Sequence, residues 1–436
     1  MYFLYSLLYC IVLLFLLPVH YFKRPRQVRK RWLSEKFGLI NPSLYLLTER
    51  GSEGRYESEL TCTKRGGIWV HAVSVGEVMA ASPLLKKLRE RYPSKSILLS
   101  TITDTGQKVG RNGTPEGTSV FYLPFDIPFV LKTVLRRVKP DILITIETEL
   151  WPNIIRVFKE HGIPIVLLNG RISGSSFRGY KRISFFMRKV LSYVDLFCMQ
   201  SELDAERITS LGVNREKVKV LGNFKFDTKP PAVIPEWAER ISKPILIAGS
   251  THDGEEEFMF SVYRELKIDF PRLSLIIAPR HPERFKEVED LLKSKGMVYV
   301  KRSEFSRSLT SESRLSGTIV LLDSVGELSA VYGMSDIAVI GKSFRGYGGQ
   351  NPLEPAYWGK PIVCGPHMEN FPFIQDFYSQ DAALEVEEED LFRILRDILL
   401  SPDKAREMGL KAKDLYAKNA GAVIRAMEVI EGYIRK

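Results

Sequence analysis

The apolar and polar positions of this chain fall into stretches with different rhythms. Residues 1–22, MYFLYSLLYCIVLLFLLPVHYF, hold no Lys, Arg, Asp or Glu. Their length is close to the roughly 20 residues with which a helix crosses a bilayer. Residues 33–66 are polar and weakly patterned, and read as a connector with one short helix. From Gly67 onward apolar runs alternate with amphipathic stretches. The runs 68–72, 97–103, 119–123, 141–146, 164–168 and 196–199 read as strands. The stretches 78–91 and 127–138 read as helices between them. The segment 227–244 contains Pro230, Pro231, Pro235 and Pro244 and reads as a linker. A second series of runs follows at 245–248, 273–278, 297–300, 318–322, 336–340 and 361–364. After residue 385 the pattern is helical only.

Strand–helix alternation predicts an α/β protein with parallel sheets covered on both faces. Two doubly wound halves joined by a linker would face a cleft at the carboxyl ends of their strands, where such folds bind ligands. A length of 436 residues fits two or three domains. No repeat period or low-complexity segment is visible. Neither half opens on GxGxxG, which disfavours a dinucleotide dehydrogenase.

Composition adds little to the fold, with 44% hydrophobic and 26% charged residues. Charge says more. A net +11 points to an anionic partner: phosphate groups, a membrane surface or nucleic acid. The apolar opening lacks the basic start and small-residue cleavage site of a signal peptide. Instead Lys23, Arg24, Arg26, Arg29, Lys30 and Arg31 follow it, which places the body of the protein in the cytoplasm by the positive-inside rule. Tyr21, Phe22 and Trp32 suit a membrane interface. The expectation is a single-pass anchor; the alternative is a helix lying on the membrane or packed in the core. Cys10, Cys62, Cys198 and Cys364 have no metal-like spacing and read as reduced and buried.

Several stretches can carry chemistry. The run 336–340 leads into GKSFRGYGGQNPLEPA (341–356), whose four glycines let the backbone turn sharply beside a ligand. Pro352 suits the first turn of a helix, and Glu354 falls one turn inside it. Strand, glycine loop and helix start would form a cradle in which N–H groups face a phosphate and a carboxylate takes a ribose hydroxyl pair. An ordinary loop with structural glycines is the alternative. Ser74 and Glu77 have capping-box spacing. The same geometry offers a first-turn carboxylate that can take a proton from an attacking hydroxyl. Both readings stand.

Glu147 and Glu149 follow a strand directly, ahead of Trp151-Pro152, and Glu147 is expected to be buried; a solvated loop is the alternative. Asn169-Gly170-Arg171-Ile172-Ser173 ends the next strand in the same way. Beyond it Arg178, Lys181, Arg182, Arg188 and Lys189 surround Phe185-Phe186-Met187. This is either a helix with a solvated basic face or a surface that meets anionic lipid. Lys225 can hold a negatively charged group or be a surface lysine. Arg280 is a candidate phosphate ligand. Val325-Gly326-Glu327 opens another helix, whose N–H groups can meet the same phosphate. His252 and His281 are metal ligands only if folding brings them together, and no carboxylate–histidine spacing supports a metal.

Taken together, the motifs WVHAVSVGE (69–77), ETELWPN (147–153), NGRIS (169–173), GNFKFD (222–227), GSTHDGEEE (249–257), APRHPERF (278–285) and GGQNPLEPA (348–356) resemble the 3-deoxy-D-manno-octulosonic acid (Kdo) transferases of lipopolysaccharide synthesis. The likeness runs along nearly the whole chain after the apolar opening. HAVSVGE and ETELWPN are particular to that family, whereas NPLEPA alone would indicate only the broader GT-B glycosyltransferases. The 33–66 connector and the Ser- and Arg-rich 301–317 stretch carry no family signature.

The resemblance implies a GT-B fold and an inverting, metal-independent transfer of Kdo from CMP-Kdo to a lipid A precursor, without a cofactor. Glu77 would be the general base, with Glu147 and Lys225 at positions linked to transition-state stabilisation. Pro279, Arg280, Val325, Gly326, Glu327, Asn351, Pro352, Leu353 and Glu354 would bind CMP. The domains implied are a membrane anchor at 1–22, a basic connector at 23–66, an acceptor-binding domain at 67–229 and a linker at 230–243. A CMP-Kdo-binding domain at 244–415 follows, then a C-terminal helix at 416–436 that crosses back to the first domain. The implied setting is the cytoplasmic side of the inner membrane, with no nucleic-acid partner. Rival readings are a UDP-sugar transferase, against which HAVSVGE argues, a non-catalytic nucleotide-sugar-binding protein, and an epimerase, which needs no anchor.

Overall fold

A computed structural model describes residues 1–40, 66–231, 233–305 and 315–434. Most of the 33–66 connector, with Cys62, and the centre of the 301–317 stretch lie outside the described residues. The chain forms two compact units. One holds Met1–Thr228 with Ala420–Lys436, and the other holds Lys229–Asn419.

In the first unit, Gly67–His71 (β1), Ser96–Thr101 (β2), Thr118–Tyr122 (β3), Ile142–Ile146 (β4), Ile165–Gly170 (β5), Leu196–Met199 (β6) and Val218–Val220 (β7) make one sheet. Their order is β3-β2-β1-β4-β5-β6-β7, and the pairs are parallel. The order reverses between β1 and β4. Both faces are covered, which is why these strands are continuous apolar runs. Ile68 and Val70 point into one core with Ile142 and Ile144, while Trp69 points into the other with Leu143 and Phe158.

The second unit repeats the plan with Ile245–Thr251 (β8), Ser274–Pro279 (β9), Tyr299–Lys301 (β10), Ile319–Leu321 (β11), Ile337–Ile340 (β12), Ile362–Cys364 (β13) and Leu384–Glu385 (β14). Its parallel order is β10-β11-β9-β8-β12-β13-β14, with the reversal between β8 and β12. Leu246 and Ala248 face one core and Ile245 and Ile247 the other. Two parallel α/β units of this kind are the GT-B architecture.

Several details differ from the sequence pattern. Strands β7, which is Val-Lys-Val, and β14, of two residues, show no unbroken apolar run, and Cys10 is exposed rather than buried. The helix expected at 78–91 starts a turn earlier, at Val75, because Ser74 caps it by accepting from the Glu77 N–H. The Pro-rich stretch is not a free spacer: Trp237, Ala238 and Ile241 are buried in the second unit's core. The chain returns to the first unit at Ala420, after the helix Pro402–Asn419 ends. The final helix, Ala422–Ile430, lays Ala422, Val423, Ala426, Met427 and Ile430 against the β1–β4 face.

Candidate active site

In the first unit, chemistry-bearing side chains collect where the sheet order reverses, past the carboxyl ends of β1 and β4, where doubly wound sheets bind ligands. The helix Val75–Arg91 follows β1, with Glu77 in its first turn. Ser74 and Glu77 do cap the helix, one residue off the strict capping box: Ser74 accepts the Glu77 N–H, and the Glu77 carboxylate accepts the Val73 N–H at 2.7 Å and the Ser74 hydroxyl at 3.0 Å. The structural reading of this pair is therefore correct, and it does not use the carboxylate up. Burial, followed by the charges of Glu147 and Glu149, raises the carboxyl to about 7 against the hydrogen bonds of Val73 and Ser74. A proton acceptor at that value is matched to work at neutral pH.

Glu147 leaves β4 in the left-handed region, at φ 58°, which turns its side chain out of the strand direction. Thr148 fixes this turn by donating to the Arg171 carbonyl. Burial raises the Glu147 carboxyl, and the charges of Lys225 and Arg171 pull it back. Burial lowers the Lys225 ammonium and Glu147 opposes that. The fold thus brings Glu77, Glu147 and Lys225 into one electrostatic group, with Glu149 and Arg171 beside them.

Lys225 is set by a chain of amides along the ends of β5, β6 and β7. Asn169, buried and at φ 55°, accepts the Phe224 N–H at 3.0 Å. Its own carbonyl accepts from Gln200 at 3.0 Å. Asn223 donates to Gln200 at 3.0 Å and accepts the Lys225 N–H at 3.0 Å. Gln200 belongs to no motif read from the sequence.

In the second unit the corresponding place is past β8 and β12. The loop after β12 needs its glycines: a Cβ on Gly341 would lie 2.4 Å from the Ser250 carbonyl, and Gly348 sits at φ 102°. Pro352 caps the helix that follows, and that helix is only Leu353–Tyr357. Glu354 therefore lies in its first turn rather than one turn inside, because the helix starts only at Leu353, with Pro352 as its N-cap. Asn351 accepts the Leu353 N–H at 3.1 Å. Burial raises the Glu354 carboxyl to about 7, while Asn351 and the charge of Arg280 draw it down. Arg280, exposed just past Pro279 at the end of β9, is thus in electrostatic reach of Glu354.

The 325–327 segment behaves differently. Val325 is exposed and Gly326 stands at φ 92° in open space. The helix after it is a single turn, Leu328–Val331. Glu327 is held internally by Arg302 at 2.9 Å, by Trp237 at 3.1 Å and by Ser324. Burial would raise this carboxyl, but those partners outweigh it and hold it below the usual range.

His252 and His281 do come together, with ring centroids 5.4 Å apart. Among the described residues, no group of three or more His, Cys, Asp or Glu side chains is placed to hold a metal ion. The residue that sequence reasoning passed over is Glu255. Buried beside the glycine loop, it accepts the backbone N–H groups of Lys342, Phe344 and Arg345 at 2.6, 3.2 and 3.4 Å, and that of His252 at 2.9 Å.

Residues 32–228 match the family model of 3-deoxy-D-manno-octulosonic-acid transferase (kdotransferase). Among curated proteins, the 3-deoxy-D-manno-octulosonic acid transferase of Haemophilus influenzae is 36% identical over 86% of this chain and 89% of its own length. That of Bordetella pertussis is 31% identical over 84% and 87%. Among solved structures, the UDP-GlcNAc 2-epimerase of Neisseria meningitidis superposes with a TM-score of 0.56 at 12% identity, over 84% of this chain and 100% of that one. That likeness is one of fold. The sequence likeness goes further and spans both units, and through it the chain belongs to the Kdo transferase family of glycosyltransferases.

Proposed function

We propose that this transferase moves Kdo from CMP-Kdo to a sugar hydroxyl of a lipid A precursor, inverting the Kdo anomeric carbon. The observation that carries the reading is the Glu77 carboxyl, poised at about 7 in a first helical turn at the reversal of the first sheet. In the reaction the acceptor oxygen bonds to the Kdo anomeric carbon while its proton passes to Glu77. The bond from that carbon to the phosphate oxygen breaks, and CMP leaves with the electron pair.

The roles divide by unit. Glu147 and Lys225 stabilise charge beside the base. Pro279, Arg280, Val325, Gly326, Glu327, Asn351, Pro352, Leu353 and Glu354 hold CMP. Within the second unit, Arg280 can take the charge of the leaving phosphate, so the reading needs no metal or cofactor. The N-terminal helix Tyr2–Lys23, the one described helix long and apolar enough to cross a membrane, attaches the enzyme to the inner membrane with its body in the cytoplasm. No nucleic acid takes part.

The test is reaction of the purified full chain with CMP-Kdo and tetra-acylated lipid A precursor in the presence of EDTA, followed by mass spectrometry. Mass gains of whole Kdo units, lost in Glu77→Ala, are expected. An unchanged lipid would overturn the donor and acceptor assignment; a product that needs added divalent metal would overturn metal independence.

A further inference from the structure

The N-terminal helix has two unlike faces. Tyr2, Tyr5, Ser6, Tyr9, Leu13, Leu17 and Tyr21 recur at helical spacing and are partly covered. The positions between them, from Phe3 to Val19, are exposed and hold no charged or hydroxyl side chain. Phe3 is 81% and Phe15 71% exposed. Every hydroxyl of the helix is therefore on the covered face. A helix wrapped on all sides in lipid has no use for that segregation, whereas one packed lengthwise on the protein body needs partners for its hydroxyls on that side alone.

What covers the hydroxyl face is the first unit, from one end of the helix to the other. Near the start, Arg156 stacks over the Tyr2 ring at 4.7 Å and Phe186 meets the same ring edge-on at 5.3 Å. One turn on, the Tyr5 hydroxyl donates to the buried Asp126 at 2.7 Å, and Asn153 donates to the Ser6 hydroxyl at 2.9 Å. The Asp126 N–H donates to the Tyr9 hydroxyl at 3.3 Å. Toward the end, Leu13, Leu17 and Tyr21 pack on Trp32, Phe125 and Val130. The helix of 22 residues is about 33 Å long at 1.5 Å per residue. If it stood across a bilayer, Asp126, Asn153 and Arg156 would either enter the hydrocarbon with it or lose these contacts, and both are costly.

We infer that the N-terminal helix lies in the plane of the membrane, its hydroxyl face bolted to the first unit and its apolar face seated in a bilayer of anionic phospholipid. The surface around it fits that occupant. Phe185, next to the contact residue Phe186, is 77% exposed, and Ile183, two residues before it, is exposed as well. Exposed cations follow the helix in the chain, at Lys23, Arg26 and Lys30, and stand close to Phe185 in the chain, at Arg182, Arg188 and Lys189. An apolar face edged with cations matches an anionic leaflet.

This rests on the membrane attachment proposed above, and one experiment separates the two. A short Gly/Ser extension with a protease site is placed before Met1 of the full chain, expressed in a Gram-negative host. Protease is added to spheroplasts and, separately, to inverted membrane vesicles. Cleavage in inverted vesicles alone is expected, since both ends of the helix stay on the cytoplasmic side. Cleavage in spheroplasts alone would overturn the in-plane helix and restore a single crossing, leaving membrane attachment intact. Recovery of the chain in the soluble fraction would overturn both.

Discussion

The Glu255 carboxylate accepts the backbone N–H of Lys342 at 2.6 Å, across 87 residues of chain. With the Phe344 and Arg345 N–H groups on the same side chain, it acts as the peg around which the glycine loop is wound. Glu255→Ala leaves buried donors without partners, at about 1–3 kcal/mol for each that finds no substitute. A lower melting temperature is expected, with KM for CMP-Kdo raised roughly tenfold and KM for the lipid unchanged. Glu255→Gln keeps one acceptor oxygen and should fall between. An equal rise in both KM values would count against a loop-specific role.

Glu354 and Arg280 set a second dependence. The Glu354 carboxyl, raised to about 7 by burial and drawn down by Asn351 and Arg280, changes charge in the working range. The ionised form accepts from both hydroxyls of a ribose through two charged oxygens, and so more strongly than the protonated form. KM for CMP-Kdo should therefore fall as pH rises through about 7. Arg280→Gln removes a cation that favours the ionised form and should move that step to higher pH, while Glu354→Gln should abolish it. A donor KM that stays flat between about pH 6 and 8 in the parent enzyme would dispose of the idea.

The large elements were legible because each sheet is buried on both faces, so that strands such as 142–146 stand out as unbroken apolar runs. Glu77 was legible for a related reason, since a capping box is a local pattern. Strand β7 was hidden because the exposed Lys219 breaks its apolar run, and β14 because it has only two residues. The tie from Glu255 to the glycine loop was hidden because its loop partners lie 87 to 90 residues away and are backbone groups, which carry no sequence identity. The hydroxyl stripe Tyr2, Tyr5, Ser6 and Tyr9 was on view in the sequence, but its meaning depends on Asp126, more than a hundred residues on. The likeness to Kdo transferases supplied candidate residues; only the fold shows that Glu327 is already engaged by Arg302.

Asp227 closes the first unit by capping its last helix. Its carboxylate accepts the Gly421 N–H at 2.5 Å and the Val423 N–H at 2.7 Å. These are donors that a helix start leaves without intrahelical partners. Asp227→Ala should cost about 1–2 kcal/mol of stability, the usual range for a lost cap. Hydrogen exchange should speed up across Ala422–Ile430 more than elsewhere. Uniform acceleration, or none, would mean that apolar packing alone holds this helix in place.

The pair Glu77 and Glu147 gives the sharpest test of the mechanism. Burial first, then the charges of Glu147 and Glu149, lifts the Glu77 carboxyl from 4.5 to about 7. If it is the base, kcat should rise with pH through about 7 and then level off. Glu147→Gln takes away a neighbouring negative charge and should shift this limb to lower pH. Glu77→Gln should lower kcat by about 10²–10⁴, the usual contribution of a general base. The same substitution should affect stability in the opposite sense. A carboxyl raised in the folded state contributes fully below its unfolded value, and that contribution is lost as pH rises through the folded one. Glu77→Gln, uncharged at every pH and still able to accept the Val73 N–H, should thus melt higher than the parent at about pH 8 and show little difference at about pH 4. An acid limb that survives in Glu77→Gln, or does not move in Glu147→Gln, would assign the proton to another group.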